Sequence, residues 1–411
     1  MQNNDVRGPG QAAFIFIFVT VVLDMMAVGI IAPVLPKLVV EFEQGDVARA
    51  AGYVGLFATL WAAMQFIFAP VIGAASDHFG RRPVILLSNL GLGLDYLLMA
   101  LAPSVSWLLV GRLISGITSA SYPTAGAYIA DVTRPEERAA KFGMLGAAFG
   151  LGFIVGPALG GFLGGFDLRL PFWVAGGLSL VNAAYGLFIL PESLPKERRR
   201  RFSLRHAHVF GALRLLRSHS ELLGLAAAMF LMALAHEALP NVFALYTYER
   251  YGWNEQAVGA ALAAVGLGSV VVSTLLVRRV VRTLGERRAA ILGLSCGIVG
   301  CCVFALAPTG GIFLVGIAFV ALWGLAGPSF QSLMTHRVSA SEQGQLQGAI
   351  GSIRAMTGML GPLLFTQVFA SSMRVGGGPW IGAPYLLAGA LLLTALLLGA
   401  RVLPHRAPRV A

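Results

Sequence analysis

Five charged side chains stand inside otherwise apolar runs: Asp24, Asp95, Arg112, Glu237 and Arg354. Facing lipid at the bilayer centre, each would cost on the order of 2.5–3.5 kcal/mol or more. Such groups turn inward, pair with one another, or line a wet cavity. The chemistry they suit is reversible proton transfer. A carboxyl held between burial and a neighbouring cation can exchange its proton near neutral pH. Asp24 lies about twelve residues into its run, ~18 Å from the start at 1.5 Å per residue, close to a bilayer midplane. Asp95 is similarly deep in the third run. Arg112 enters about five residues into the fourth, and its long side chain reaches toward Asp24. Asp24 and Arg112 are therefore the expected pair, with a permanent tie between runs one and four as the plainer alternative. Asp95 is a second proton site or a partner for a loop-facing group.

Glu237 sits just before Pro240, where a broken helix exposes backbone, and suits a cationic substrate or a proton. His236 beside it reads as a satisfied polar residue. Arg354, flanked by Gly351 and Gly358, reads as a brace. Gln65 offers a hydrogen bond. Phe57, Trp61, Phe66, Tyr122, Phe149, Trp323 and Phe330 either line an apolar cavity or simply pack. A mainly apolar pocket with a few polar fixings suits lipophilic compounds.

The elements that must position these groups follow from composition. The 411 residues are 57% hydrophobic and 12% charged, with a mean hydropathy of +0.76. A soluble chain carries about 25% charged residues, so a polytopic membrane protein is expected. The formal charge of +11 is spread over short loops, which excludes a nucleic-acid-binding domain. Cys296, Cys301 and Cys302 share one apolar segment and have no metal-ligand spacing. No metal site and no catalytic residue is expected.

Twelve apolar runs can be drawn: 12–35, 52–73, 83–102, 107–130, 142–164, 170–190, 221–245, 256–277, 289–307, 311–334, 346–370 and 382–403. The first is too long for a signal peptide and carries Asp24 at its centre. An even number places both termini on one side. Of the 30 Lys and Arg residues, 23 fall on that side, 22 in the loops and Arg401 at the end of the last run. Five fall on the other (Lys37, Arg49, Arg169, Arg250 and Arg374), and Arg112 and Arg354 lie within runs. This bias predicts that both termini are cytoplasmic.

The chain repeats itself at an offset of 205. Gly80 maps to Gly285, Glu137 to Glu342, and Pro103, Pro123 and Pro157 to Pro308, Pro328 and Pro362. Two six-helix halves are expected, 1–190 and 221–411, joined by the basic linker 191–220 with its "PKERRRRFSLRHAH". Two such halves with a site between them near the midplane describe a secondary transporter. No Walker loop is present.

Two further stretches stand out. "GAASDHFGRRP" places Asp77, Gly80, Arg81 and Arg82 in one short loop. Arg81 and Arg82 are positive-inside anchors, and Gly80 permits the tight turn. "GMLGAAFGLGFIVGPALGGFLGG" spaces Gly152, Gly156 and Gly160 by four, which lets helices pack backbone to backbone, and its Pro157 permits a bend. Packing and a hinge are compatible readings.

These motifs carry a resemblance. "GAASDHFGRRP", "LLVGRLISGITSASYPTAGAYIAD" with Arg112 and the exit residue Asp131, and "GLGFIVGPALGG" resemble motifs of the major facilitator superfamily. They resemble most the twelve-span drug/proton antiporters and, within these, the tetracycline/proton exporters. "LDMMAVGIIAPVLP", "MQFIFAP", "LDYLL" and "YGWN" point the same way. The resemblance implies an all-α integral membrane fold of two pseudo-symmetric six-helix halves. It implies an inner-membrane monomer that exports small drugs against protons, with the proton gradient and no cofactor as its energy source. Lipids are its other partners. Asp77 is then a latch toward the N-terminal end of span eleven near Leu346. Protonation of Asp24 would release Arg112 and the drug. One departure is plain: Ser269 and Gly297 stand where tetracycline exporters carry a histidine and an aspartate. The rival readings are an uptake symporter for a sugar or organic acid, disfavoured by the Gly-Pro motif of span five, and a non-transporting membrane sensor.

Overall fold

The computed structural model describes residues 9–119, 121–134, 137–199, 220–339, 342–376 and 378–402. Tyr122 has a described backbone, but its side chain lies outside the described residues, as does most of the arginine-rich linker. The described residues form helices and connecting turns, with no strand. In chain order the helices are α1 (Pro9–Ile31), α2 (Leu35–Phe42), α3 (Val47–Phe79), α4 (Arg81–Ala100), α5 (Val105–Thr118), α6 (Ser121–Val132), α7 (Arg138–Gly164), α8 (Leu170–Ile189), α9 (Ser220–His236), α10 (Ala238–Tyr251), α11 (Glu255–Val271), α12 (Val277–Leu284), α13 (Glu286–Leu306), α14 (Gly310–Trp323), α15 (Ala326–Thr335), α16 (Gln343–Arg374) and α17 (Ala383–Val402). A π-helical stretch, Val272–Leu276, joins α11 to α12.

Among the described residues, every expected apolar run falls mainly on helix. Ten spans among the described residues are long and apolar enough to cross a membrane on their own. The other two expected runs differ for physical reasons. Run 107–130 is divided into α5 and α6, and α16 is long but studded with polar residues.

Three interruptions share one cause. Proline has no N–H to give the carbonyl four residues back. Pro123 lies four residues after Ser119, Pro240 after His236 and Pro328 after Gly324, and the helix ends at or within a residue of each of those positions. At the first, hydroxyls add to the effect by bonding back to their own helix: Ser115 and Thr118 donate to the carbonyls of Gly111 and Ile114, at 3.0 Å each. Glycine sets other boundaries. Gly80 (φ 107°) and Gly285 (φ 79°) start α4 and α13 from a backbone region that side chains avoid. Gly252, left-handed at φ 62°, closes α10, with its N–H and that of Trp253 bonded to Tyr248 and Thr247.

Two compact units result. The first takes in Met1–Phe42, Leu60–Ala207 and Asn254–Gly266. Its core gathers Ile17, Val21, Ile85, Tyr128, Ile129, Leu145 and Ala148. Here α7 lies backbone to backbone on α1. A Cβ placed on Gly152 would come 2.6 Å from that of Met25, and one on Gly156 2.7 Å from the Met26 carbonyl. Pro157 sits within an unbroken α7 and packs on Gly29. Another set of α7 glycines meets α11: a Cβ on Gly161 would come 2.9 Å from the Cα of Gly259. At that end Lys37 and Glu255 form an ion pair.

The second unit takes in Glu43–Thr59, His208–Trp253 and Leu267–Ala411. The start of α3 lies on α16, where Thr59 donates to the Met359 carbonyl at 3.0 Å. An aromatic core holds this unit, with Phe304 stacked on Phe313 at 4.2 Å and Tyr246 donating to the Phe304 carbonyl at 2.6 Å.

Candidate functional site

The first unit buries a polar cluster between α1, α4, α5 and α8. Asp24 is 4% exposed and Asp95 1%. One turn from Asp24, Thr20 donates to the side-chain oxygen of Asn182 on α8 at 3.2 Å. The Asp95 carboxylate lies over the bare backbone of Gly111: a Cβ there would come 2.7 Å from its Oδ1. Ser115, one turn on from Gly111, sets its hydroxyl beside Asp95, and Arg112 lies within electrostatic reach. The Arg112 guanidinium also contacts the Met99 sulfur at 3.2 Å. The Tyr96 hydroxyl, fully enclosed, is within electrostatic reach of Arg112, Asp95 and Asp24 together. Sequence paired Arg112 with Asp24. The structure sets Arg112 within electrostatic reach of Asp95, and Tyr96 within electrostatic reach of both carboxyls. Tyr96, Ser115, Thr20 and Asn182 are additions, and of these Tyr96, in "LDYLL", and Ser115, in "GRLISG", fall within the quoted motifs.

The second unit holds the other intramembrane charges. Glu237 occupies the turn between α9 and α10. Asn241 donates from one amide nitrogen to its carbonyl at 2.8 Å and its carboxylate at 3.2 Å. Gly361 of α16 packs directly on the Glu237 side chain. His236 meets the Trp323 ring edge-on, centroids 5.3 Å apart.

The aromatic candidates divide. Trp61 and Gln65 are half-buried on α3, and Glu237 also keeps accessible surface. Phe57 and Phe330, each 1% exposed, are packed, and Phe330 fills the space over Gly399. In this arrangement those two present no surface to a ligand, a correction to the expectation that they line a pocket. Their burial is not legible from sequence because packing and lining aromatics share the same spacing.

The loop after α3 forms a charge network. The Arg81 guanidinium bonds Asp77 at 2.6 Å, Asp131 of α6 at 3.2 Å and the Ser76 hydroxyl at 2.6 Å. Its backbone N–H donates to Glu192 at 2.9 Å. Glu192 also receives the Leu194 N–H at 3.0 Å and faces Arg199 at 3.7 Å, while Ser193 donates to Asp131 at 3.1 Å. Arg82 donates to the Leu187 carbonyl at 2.5 Å. A Cβ on Gly80 would displace the flexible end of Glu192, and the positive φ itself favours glycine. Asp77, Gly80, Arg81, Arg82 and Asp131 are thus brought together, and Glu192, Ser193 and Arg199 join them unforeseen.

Comparison with known proteins places this arrangement. The sequence model of the Major Facilitator Superfamily matches residues 17–362. Tetracycline resistance protein, class C, of Escherichia coli is 35% identical over 370 residues, 90% of this chain and 93% of that protein. The class E protein of Escherichia coli is 38% identical over 367 residues, 88% of this chain and 89% of that protein. Among solved structures, the nucleoside transporter NupG superposes with a TM-score of 0.77 over 96% of this chain and all of that one, at 13% identity. The chain belongs to the major facilitator superfamily, alongside its tetracycline-exporter subgroup. It is a transporter and not an enzyme.

Proposed function

We propose that this protein exports small, lipophilic, tetracycline-like drugs across the inner membrane in exchange for protons. In this reading it has twelve spans in two six-helix halves joined by the 191–220 linker, and both termini are cytoplasmic. The observation that carries the reading is the buried Asp24, Asp95 and Tyr96 with the half-buried Arg112 beside them. Two enclosed carboxyls, one of them within electrostatic reach of a guanidinium, respond to a proton. With the carboxyls ionised, Arg112 neutralises one of them and the other keeps a negative charge for a cationic or polar substrate group. A proton entering from outside removes that charge, loosens the hold of Arg112, and releases the substrate. Loss of the proton to the cytoplasm restores the substrate-binding state. Tyr96 relays between the carboxyls through its hydroxyl. The excess of Lys and Arg in one set of loops supports the orientation. The relatives named as tetracycline resistance proteins support the drug class.

The test is proton-driven uptake into inverted vesicles by Asp24→Asn and Asp95→Asn. Both variants are expected to lose pH-gradient-driven uptake while remaining in the membrane. Unchanged uptake by both would overturn coupling at this cluster.

A further inference from the structure

The second unit contains an intramembrane cation that the proton cycle does not use. Arg354 lies eleven residues into α16, and none of the ion pairs among the described residues involves it. Its place on the helix says which way it faces. Gln347, Gly351 and Arg354 are exposed on one face, and Gly358 continues it. About 200° round the helix, at 100° per residue, Met356, Leu360 and Leu363 are exposed on another. In a bilayer the large apolar face turns to lipid, and the face of small and polar residues turns to water or ligand.

A chain of contacts ends on a second group within electrostatic reach of this cation. Gly297 leaves space on α13: a Cβ there would come 2.9 Å from Trp323 and 3.0 Å from Leu392. The Trp323 indole takes that space and is 6% exposed. It holds the His236 ring edge-on at 5.3 Å, and His236, itself exposed, lies within electrostatic reach of Arg354. Glu237, the nearest carboxylate in sequence, is engaged by Asn241 instead.

We propose that Arg354 and His236 form a subsite for the ionised acid group of the transported substrate: a carboxylate, sulfonate or enolate on a lipophilic ring system. Arg354 supplies a planar fork matched to such groups. His236 supplies a second donor and a ring face. Trp323, admitted by Gly297, is a positioning residue. This deepens the drug-export reading and rests on it for the identity of the ligand as substrate.

The test is equilibrium binding to the full-length protein in phosphatidylcholine nanodiscs without a proton gradient, so failure of proton coupling cannot affect it. The probes are 1-anilinonaphthalene-8-sulfonate and its unsulfonated counterpart, N-phenyl-1-naphthylamine. Wild type is expected to bind the sulfonate saturably and more tightly. Arg354→Gln is expected to weaken sulfonate binding about tenfold or more, as loss of hydrogen bonds to a charged group does, with the neutral probe unchanged. Arg354→Lys is expected to fall between, and Gly297→Leu to weaken the sulfonate by displacing Trp323. Equal binding of the sulfonate by wild type and Arg354→Gln, no saturable binding, or equal loss of both probes would overturn the subsite. Displacement of the sulfonate when phosphatidylglycerol is added at ordinary bilayer content would assign Arg354 to lipid headgroups and overturn it too.

Discussion

The two glycine turns related by the internal repeat, at Gly80 and Gly285, have the same backbone and different chemistry. Both hold a positive φ and both start a long helix. After Gly80, Arg81 gathers Asp77, Asp131 and Ser76, and its N–H reaches Glu192, so the end of α3, α6 and the segment after α8 are tied to one guanidinium. After Gly285 the corresponding cation is replaced by Glu286, which receives Ser332 and faces His336 at 3.3 Å. Where Asp77 stands in the first loop, the second carries Arg282. The repeat has preserved the turn and let the charges diverge. Both loops keep the glycine backbone, and their ion pairs differ.

The largest expected effect comes from removing the hub. Arg81→Ala leaves Asp77 and Asp131 facing each other without their shared cation. It should lower stability by about 2 kcal/mol, from lost charged hydrogen bonds in a partly exposed site, and abolish most export. Asp77→Asn removes one spoke and should cut export more mildly at normal membrane abundance. Thermal unfolding and vesicle transport read both, and wild-type behaviour of Arg81→Ala would erase the contrast between the loops. Next come the glycines. Gly285→Ala meets open space and should cost only backbone strain, about 1–2 kcal/mol. Gly80→Ala also displaces the end of Glu192 and should cost more, so equal losses on thermal unfolding would contradict the geometry. The smallest effect belongs to His336→Gln. Its side chain is 70% exposed, and its pair with Glu286 should be worth under about 0.5 kcal/mol, with export unchanged.

Much of this was legible in the chain. Apolar runs announced the helices because twenty such residues in a row have few other uses. The intramembrane charges announced the cluster because each is expensive alone. Partners were harder. That Asp95 meets Ser115 and Arg112 depends on how α4 and α5 pack across their turn, and no spacing within one run encodes it. Glu192 lies in a segment that reads as the start of a plain linker. Its role follows only from where the chain end of α8 meets Gly80. The break before Pro240 is legible, whereas those before Pro123 and Pro328 fall within runs drawn as single spans, and Pro70, Pro157 and Pro362 lie inside unbroken helices.

That α7 touches α1 through Gly152 and Gly156, and α11 through Gly161, has a kinetic meaning. Side chains that interlock must change rotamer before one helix moves past another, and each such change is an activated step. At these glycines the contact has no rotamers to change, and any side chain larger than hydrogen placed there must push the helices apart.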